Sequence, residues 1–302
     1  MSKKKRDSHS NGTGDAVTPT PVGPDTGFVV PKLGQAPGVD GSLAIETIDL
    51  VKEYWDREAS FLMKRKKRVV DQVNLQVRAG EVYGFVGKNG AGKTTTIKMI
   101  LGLTYPTSGS IRVFGHDGIS PDSKVQIGFA PEKPAFYNHL RARELMAYAG
   151  ELMGVPRKTI AGRTQELLEL VGLSGEGNTL VMNFSKGMQQ RLGVAQALIS
   201  DPKLLIFDEP ATGLDPFGRR FIKELILHLR SQGKTVFFSS HQLLDVQEVC
   251  DRVGIIHRGG LIRQDTVAAI LDGENNLEEK FVNMIRQMGE RDAFWDPKKV
   301  GE

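Results

Sequence analysis

The chain reads as an α/β protein in which parallel strands form a sheet covered on both faces by helices, and three observations lead there. Val82-Tyr83-Gly84-Phe85-Val86 is almost continuously apolar, the pattern of a strand buried on both sides. From residue 186 to 257, helix-like and strand-like stretches alternate, which makes successive strands parallel. Over residues 140–173 the apolar period changes to 3.6, so a small helical unit interrupts the sheet order.

Taken in order, residues 1–40 hold five prolines and six glycines with little apolar periodicity and read as a disordered tail. Structure is expected to begin near Leu43, where "LAIETIDLVKEY" has strand character. "VNLQVRAGEVYGFVG" alternates, turns at Arg78-Ala79-Gly80 and resumes as the apolar strand, with a helix predicted over 92–101. "GSIRVFG" and "KVQIGFAPE" each return to strand. Leu145, Tyr148 and Leu152, then Leu167, Leu168 and Val171, mark two helices divided at Gly154-Val155-Pro156. Helices are then expected over 186–199, 217–231 and 242–248, and strands over 204–207, 235–239 and 252–257. Residues 277–288 form an amphipathic helix before a loose tail, and there is no internal repeat.

Composition narrows the function classes. At 302 residues the chain can bury a core large enough for an enzyme. Its net charge is only +4, but Lys3–Arg6 and Lys64–Arg68 are concentrated basic runs. These suit anionic lipid or nucleic acid, or else are a solvated tail and a solvated loop. Cys250 is the sole cysteine, which excludes an intrachain disulfide and a thiolate metal cluster; with Val249 and Val253 beside it, it reads as a buried structural thiol. The basic start is followed by no apolar h-region, so no secretory leader is expected. No apolar run reaches 18 residues, so work at a membrane would go through a partner.

The strongest local signal is Gly87-Lys88-Asn89-Gly90-Ala91-Gly92-Lys93-Thr94, a GxxxxGK[ST] pattern between the apolar strand and a helix. Such a loop turns backbone N–H groups inward around phosphates; Lys93 would reach the β and γ phosphates and Thr94 would offer its hydroxyl to Mg2+, with Thr95 beside it. "LLIFDE" ends an apolar strand in Asp208 and Glu209, suited to holding a cation's water shell and to orienting the attacking water. Adjacent acids after a strand can also be a solvated turn. His241 follows another strand and would lie at the same sheet edge. Ser185, in "NFSKGMQQR", stands at a helix start with Met188, Leu192, Ala195 and Ile199 on its buried side; it is a simple cap or a second phosphate-binding terminus.

This ordered set resembles the nucleotide-binding subunit of ATP-binding cassette (ABC) transporters, in the branch that exports drugs, antibiotics, sodium or polysaccharide through a separately encoded membrane subunit. The resemblance covers residues 43–285. It implies a P-loop NTPase fold with a central mostly parallel sheet, an antiparallel β subdomain and an inserted helical subdomain at about 134–190. The ATPase domain would span 43–270, with a tail at 1–42 and a C-terminal helix and tail at 271–302. By similarity, "GKNGAGKT" is the Walker A loop, "LLIFDE" is Walker B with catalytic Glu209, and "FSKGM" stands at the LSGGQ signature. Asp215 belongs to the D-loop, His241 is the switch histidine, and Tyr54 falls where the family stacks adenine, or is an ordinary strand residue. Two positions depart from the pattern. Glu132 replaces the Q-loop glutamine, losing an amide donor and adding charge. In the signature, Lys186 replaces a glycine and Met188 the glutamine, leaving Ser185 and Gly187; Lys186 faces either phosphates or solvent.

The resemblance further implies ATP and Mg2+ as ligands, the metal held by Thr94, Asp208 and Glu132. Lys93, Glu209 and His241 would act in hydrolysis. It implies a second copy or a homologous cassette, whose Ser185, Gly187 and Asp215 complete each site. The partner would be a polytopic permease, the location the cytoplasmic face of the membrane, and the docking face the helical segment with Phe129, Phe136 and Tyr137. The competing reading is a soluble ABC-type ATPase that remodels a nucleic-acid or ribosomal complex; neither tandem cassettes nor a long coiled coil supports it.

Overall fold

The computed structural model describes residues 42–55, 66–118, 120–273 and 276–287. The Pro- and Gly-rich start, the first basic run and the tail after 288 lie outside them, as do Lys64 and Arg65. The chain opens with β1 (Leu43–Trp55), β2 (Lys66–Val73) and β3 (Gln76–Arg78). It continues through β4 (Val82–Val86), α1 (Lys93–Ile100), β5 (Ser108–Val113), β6 (His116–Asp117), α2 (Pro121–Lys124) and β7 (Ile127–Ala130). Three helices follow, α3 (Ala142–Leu152), α4 (Arg157–Leu170) and α5 (Lys186–Ala197). Then come β8 (Leu204–Asp208), α6 (Pro216–Ser231), β9 (Thr235–Ser240), α7 (Leu243–Val249), β10 (Arg252–His257), β11 (Gly260–Thr266), α8 (Val267–Leu271) and α9 (Leu277–Gln287).

These strands form two sheets. One is antiparallel, ordered β2-β1-β5-β6 with β3 also on β1; the other is ordered β11-β10-β4-β9-β8-β7 and is parallel except at β11. Because successive strand side chains point to opposite faces, each parallel strand feeds two cores. Tyr83, Phe85, Ile206 and Phe237 pack with Ile45, Leu50 and Val70 of the antiparallel layer. Val82, Val86, Phe207 and Phe238 instead meet helices, through Leu192, Leu225, Val246 and Phe281. Tyr83 and Phe237 stack at 5.8 Å, the kind of aromatic pair worth about 1 kcal/mol beyond its burial. Where α7 crosses β4, a Cβ on Gly84 would fall 2.6 Å from Val246, so the close approach requires glycine.

Two local expectations change. Lys66, Lys67 and Arg68 of the second basic run are not loop: they begin β2, opposite the end of β1. The strand buries Val70 and Val73, and on its outer side Arg68 lies directly across from Glu53 and bonds it at 3.1 Å, with Asp71 at 2.9 Å on its own strand. β11, which the sequence pattern did not suggest, folds back on β10 through a turn with positive φ at Arg258 and Gly259.

The registers set the site. Val86 pairs with Ser240, Asp208 with Ser239 and Ala130 with Phe207, so β4, β9, β8 and β7 end nearly flush. The loops starting at Gly87, Glu209, His241 and Pro131 therefore leave along one carboxyl edge, where ligands of such sheets bind.

Candidate active site

Gly87, Asn89, Gly90, Ala91 and Gly92 form the turn from β4 into α1. Gly92 caps the helix with φ 111°, and a side chain there would meet the Val69 carbonyl at 2.8 Å, so sterics and conformation both demand glycine. Thr94 is exposed and Thr95 half-buried in the first turn of α1, whose leading N–H groups need acceptors. Lys93 is buried. Its ammonium bonds the Gly87 carbonyl at 2.6 Å and lies 3.1 Å from Glu209 Oε1. That is an ion pair by distance, although Oε1 receives no aligned hydrogen bond.

Glu209 is held from several directions. Burial pushes its carboxyl up, but the Lys93 charge and the contacts from Lys93 and His241 more than offset this and keep it below the ordinary carboxylate value. His241 Nδ1 is 2.7 Å from Glu209 Oε2, and Thr212 Oγ1 donates to the same oxygen at 3.0 Å. An ionised carboxylate only accepts, so the His241 proton sits on Nδ1. Asp208 Oδ1 accepts from Thr94 Oγ1 at 3.3 Å and from Ser239 Oγ at 2.6 Å. Lys93, Thr94, Asp208, Glu209 and His241 are thus brought together by the ends of three neighbouring strands.

Other expected residues stand apart from this network. Glu132 follows β7 at the same edge, but its partly exposed carboxylate lies 4.0 Å from Lys133. Tyr54 is an exposed ring near the end of β1 with the Lys52 ammonium 5.0 Å from its centroid. Ser185 is exposed and accepts the Met188 N–H at 3.2 Å as the cap of α5; Gly187 is half-buried in that first turn. Lys186 is exposed, and its ammonium lies beside Gly213, where an added Cβ would fall 2.1 Å from it. Asp215 caps α6 by accepting the Gly218 N–H at 2.7 Å. Cys250 packs its sulfur beside Gly84, and burial pushes the thiol well up, as befits a structural cysteine.

Sequence reasoning missed Thr212 and Ser239. Thr212 is three residues beyond Glu209 in a turn that its own N–H closes on the Glu209 carbonyl. Ser239 lies on β9, two residues before His241, and its nearness to that histidine was the available signal.

A family model described as ABC transporter matches residues 70–212. The bacitracin transport ATP-binding protein BcrA of Bacillus licheniformis is 43% identical over 226 residues, covering 74% of this chain and 70% of that protein. The chain belongs to the ABC transporter family. The lantibiotic transport ATP-binding protein SrtF of Streptococcus pyogenes is 40% identical over 220 residues, 73% of this chain and 92% of its own. A solved ATP-binding subunit of an ABC transporter superposes with TM-score 0.71 at 29% identity, covering 80% of this chain and 99% of that one. The protein is therefore an ABC ATPase subunit, and its hydrolysis of ATP drives transport through a separate membrane subunit. Among the described residues no helix is long and apolar enough to cross a membrane.

Proposed function

We propose that this ABC subunit works as a two-fold pair on the cytoplasmic face of a membrane, where it powers export of an antibiotic-like compound through a polytopic permease. The observation that carries the reading is the division of labour in the chain. The hydrolytic groups form a closed internal network, while Ser185 and Gly187 present a helix start on the surface. In the pair, Walker A of one copy and the signature of the other hold one ATP between them, an arrangement of closed two-fold symmetry. Export of a peptide antibiotic follows from the relatives named for bacitracin and lantibiotic transport.

In the chemical step, water attacks the γ phosphorus and the bond to the ADP oxygen breaks. The Glu209 carboxylate is gripped at Oε2 by His241 and Thr212, which leaves Oε1, without a hydrogen bond of its own, to orient the water and take its proton. The Lys93 ammonium donates to the Gly87 carbonyl at 2.6 Å and to the Lys88 carbonyl at 3.4 Å, and its third donor can meet a phosphate oxygen. The N–H groups at the start of α1 stabilise the same charge. Tyr54 stacks the adenine.

Mg2+ fits these residues. Thr94 spends its one proton on Asp208, which leaves hydroxyl lone pairs for a cation, and Asp208 Oδ1 is occupied by two donors, which leaves Oδ2 for its water shell. Among the described residues no His, Cys, Asp and Glu cluster would hold a metal unaided, in keeping with a cation that arrives with phosphates. Bound there, Mg2+ supplies charge neutralisation to the phosphates; Glu132, two residues past β7, is the acid of the neighbouring loop.

We assign residues 43–270 to the ATPase domain, about 134–190 to its helical subdomain and 271–302 to the C-terminal extension. The docking face is a cleft of about 430 Å³ lined by Phe129, Phe136, Leu152 and Met153, beside the exposed Tyr137. A nucleic-acid role is disfavoured because Lys66 and Arg68 already face Glu53 and Asp71. The test is to purify the tagged chain from membranes in mild detergent. A stoichiometric polytopic protein supports the reading; ribosomes without a membrane protein overturn it.

A further inference from the structure

Ser239 is the fifth residue of β9, fully buried, and paired directly with Asp208 on β8. A serine hydroxyl has one proton to give. Here it goes to Asp208 Oδ1 at 2.6 Å, while the oxygen accepts the Glu209 N–H at 2.9 Å. One side chain thus grips two consecutive acids with different tasks, Asp208 by its carboxylate and Glu209 by its peptide.

The second grip matters because Glu209 sits at φ 52°, in the left-handed region that a residue with a Cβ avoids. Such a conformation persists only where its surroundings fix it. The surroundings are Ser239 at the N–H and His241 and Thr212 at the carboxylate. Two of the three come from one segment of chain: Ser239 is on β9 and His241 is the first residue beyond that strand. Without the Ser239 oxygen, the Glu209 N–H would be a buried donor lacking its partner, and that penalty is relieved by rotating the peptide. Rotation toward ordinary φ would carry the Glu209 carboxylate away from His241. Asp208 Oδ1 would at the same time keep only the longer Thr94 bond.

We propose that Ser239 is a positioning residue for ATP hydrolysis, which fixes the Asp208 carboxylate and the left-handed Glu209 peptide through a single hydroxyl. It is fully buried, and it acts through the two acids that it bonds. The inference rests on the ATPase reading and adds a residue that no motif contains.

The experiment compares the full-length wild type with Ser239→Ala and Ser239→Thr. For Ala we expect kcat to fall by about 10- to 100-fold, the size of effect seen when a supporting partner of a functional group is removed. The ATP KM should stay within about twofold, since what Ser239 positions acts in the transition state rather than in ground-state binding, and the Mg2+ concentration for half-activation should rise. Thr keeps the hydroxyl and should recover most of the rate. A purely structural role is separated by repeating the substitution in Glu209→Gln and following single-turnover release of labelled γ phosphate. A positioning role predicts almost no further loss there, because the two changes act on one unit. Equal losses in both backgrounds overturn the proposal, as does wild-type kcat and Mg2+ dependence in Ser239→Ala. If the Ala chain does not fold, Ser239→Cys replaces it, with a near-isosteric but weak donor; a lowered kcat supports the role and an unchanged one ends it. A wild-type chain that hydrolyses no ATP would instead defeat the hydrolytic reading itself.

Discussion

The carboxyl edge of the parallel sheet and the start of α5, the two regions we assign to the nucleotide, are built in opposite ways. At the sheet edge, Asp208, Glu209 and Lys93 are buried, and each finds partners from a neighbouring strand or loop of its own chain. At the start of α5, Ser185 is exposed, its hydroxyl caps the helix, and a methyl added at Gly187 would first meet Leu214 at 3.9 Å, an ordinary contact. The first region explains its own residues. The second does not, since nothing among the described residues requires a glycine at 187. A buried network and an open helix start on one molecule are what the proposed pair requires, with the catalytic half made in the chain and the recognition half offered to a second copy.

The largest effect should come from breaking the internal network at its centre. Glu209→Gln keeps size and burial but removes the base, and turnover should fall by about 10²- to 10³-fold while ATP binding, followed with a fluorescent nucleotide, survives. Brisk hydrolysis by this variant would remove the contrast at its strong end.

Next is the ion pair. Lys93→Met leaves Glu209 buried without its main cation, and loss of one partner from a buried pair costs up to about 3 kcal/mol. The pH dependence has a definite sign. In the wild type, the lowered Glu209 value contributes stability above the ordinary carboxylate range, and this is lost as pH falls through the folded value. In the variant burial prevails and Glu209 moves up. The stability gap between the two chains, from urea melts, should be widest at neutral pH and shrink on acidification. A gap independent of pH would mean that Lys93 and Glu209 do not share charge.

The two regions were also unequally legible in sequence. GKNGAGKT and LLIFDE are contiguous, and each carries its chemistry on adjacent residues, so the loop, the acids and the alternating strands could be read directly. Ser239 and Thr212 could not, because their meaning lies in pairings with β8 and with a tight turn, neither of which has a local pattern. β11 escaped for a related reason: "GLIRQDT" is half-covered along most of its length and so lacks the alternation that marks a strand. The basic run was misread as loop since charge alone does not reveal that Glu53 stands across from Arg68.

Smaller effects on folding are expected at α5, with larger consequences for assembly. Ser185→Arg removes the cap of a long helix and should lower stability by about 1 kcal/mol. Monomer nucleotide binding should be spared, and the rise of specific ATPase activity with chain concentration should be lost. Weakened binding by the isolated monomer would show that the cap serves its own chain's nucleotide.

The smallest change is the most discriminating. Gly187→Ala adds one methyl in the first turn of α5, where the backbone has no positive φ and the nearest atom is Leu214 Cδ2. Within the chain the substitution should be neutral or stabilising by about 0.5 kcal/mol, since alanine surrenders less conformational freedom than glycine on entering a helix. The melting temperature should therefore hold or rise slightly. If a nucleotide held by a second copy must approach this backbone closely, the same methyl stands in its way and ATPase activity should fall, with monomer binding intact. A variant that is both as stable and as active as the wild type would show that the helix start closes on no phosphate, and would leave Ser185 as a helix cap alone.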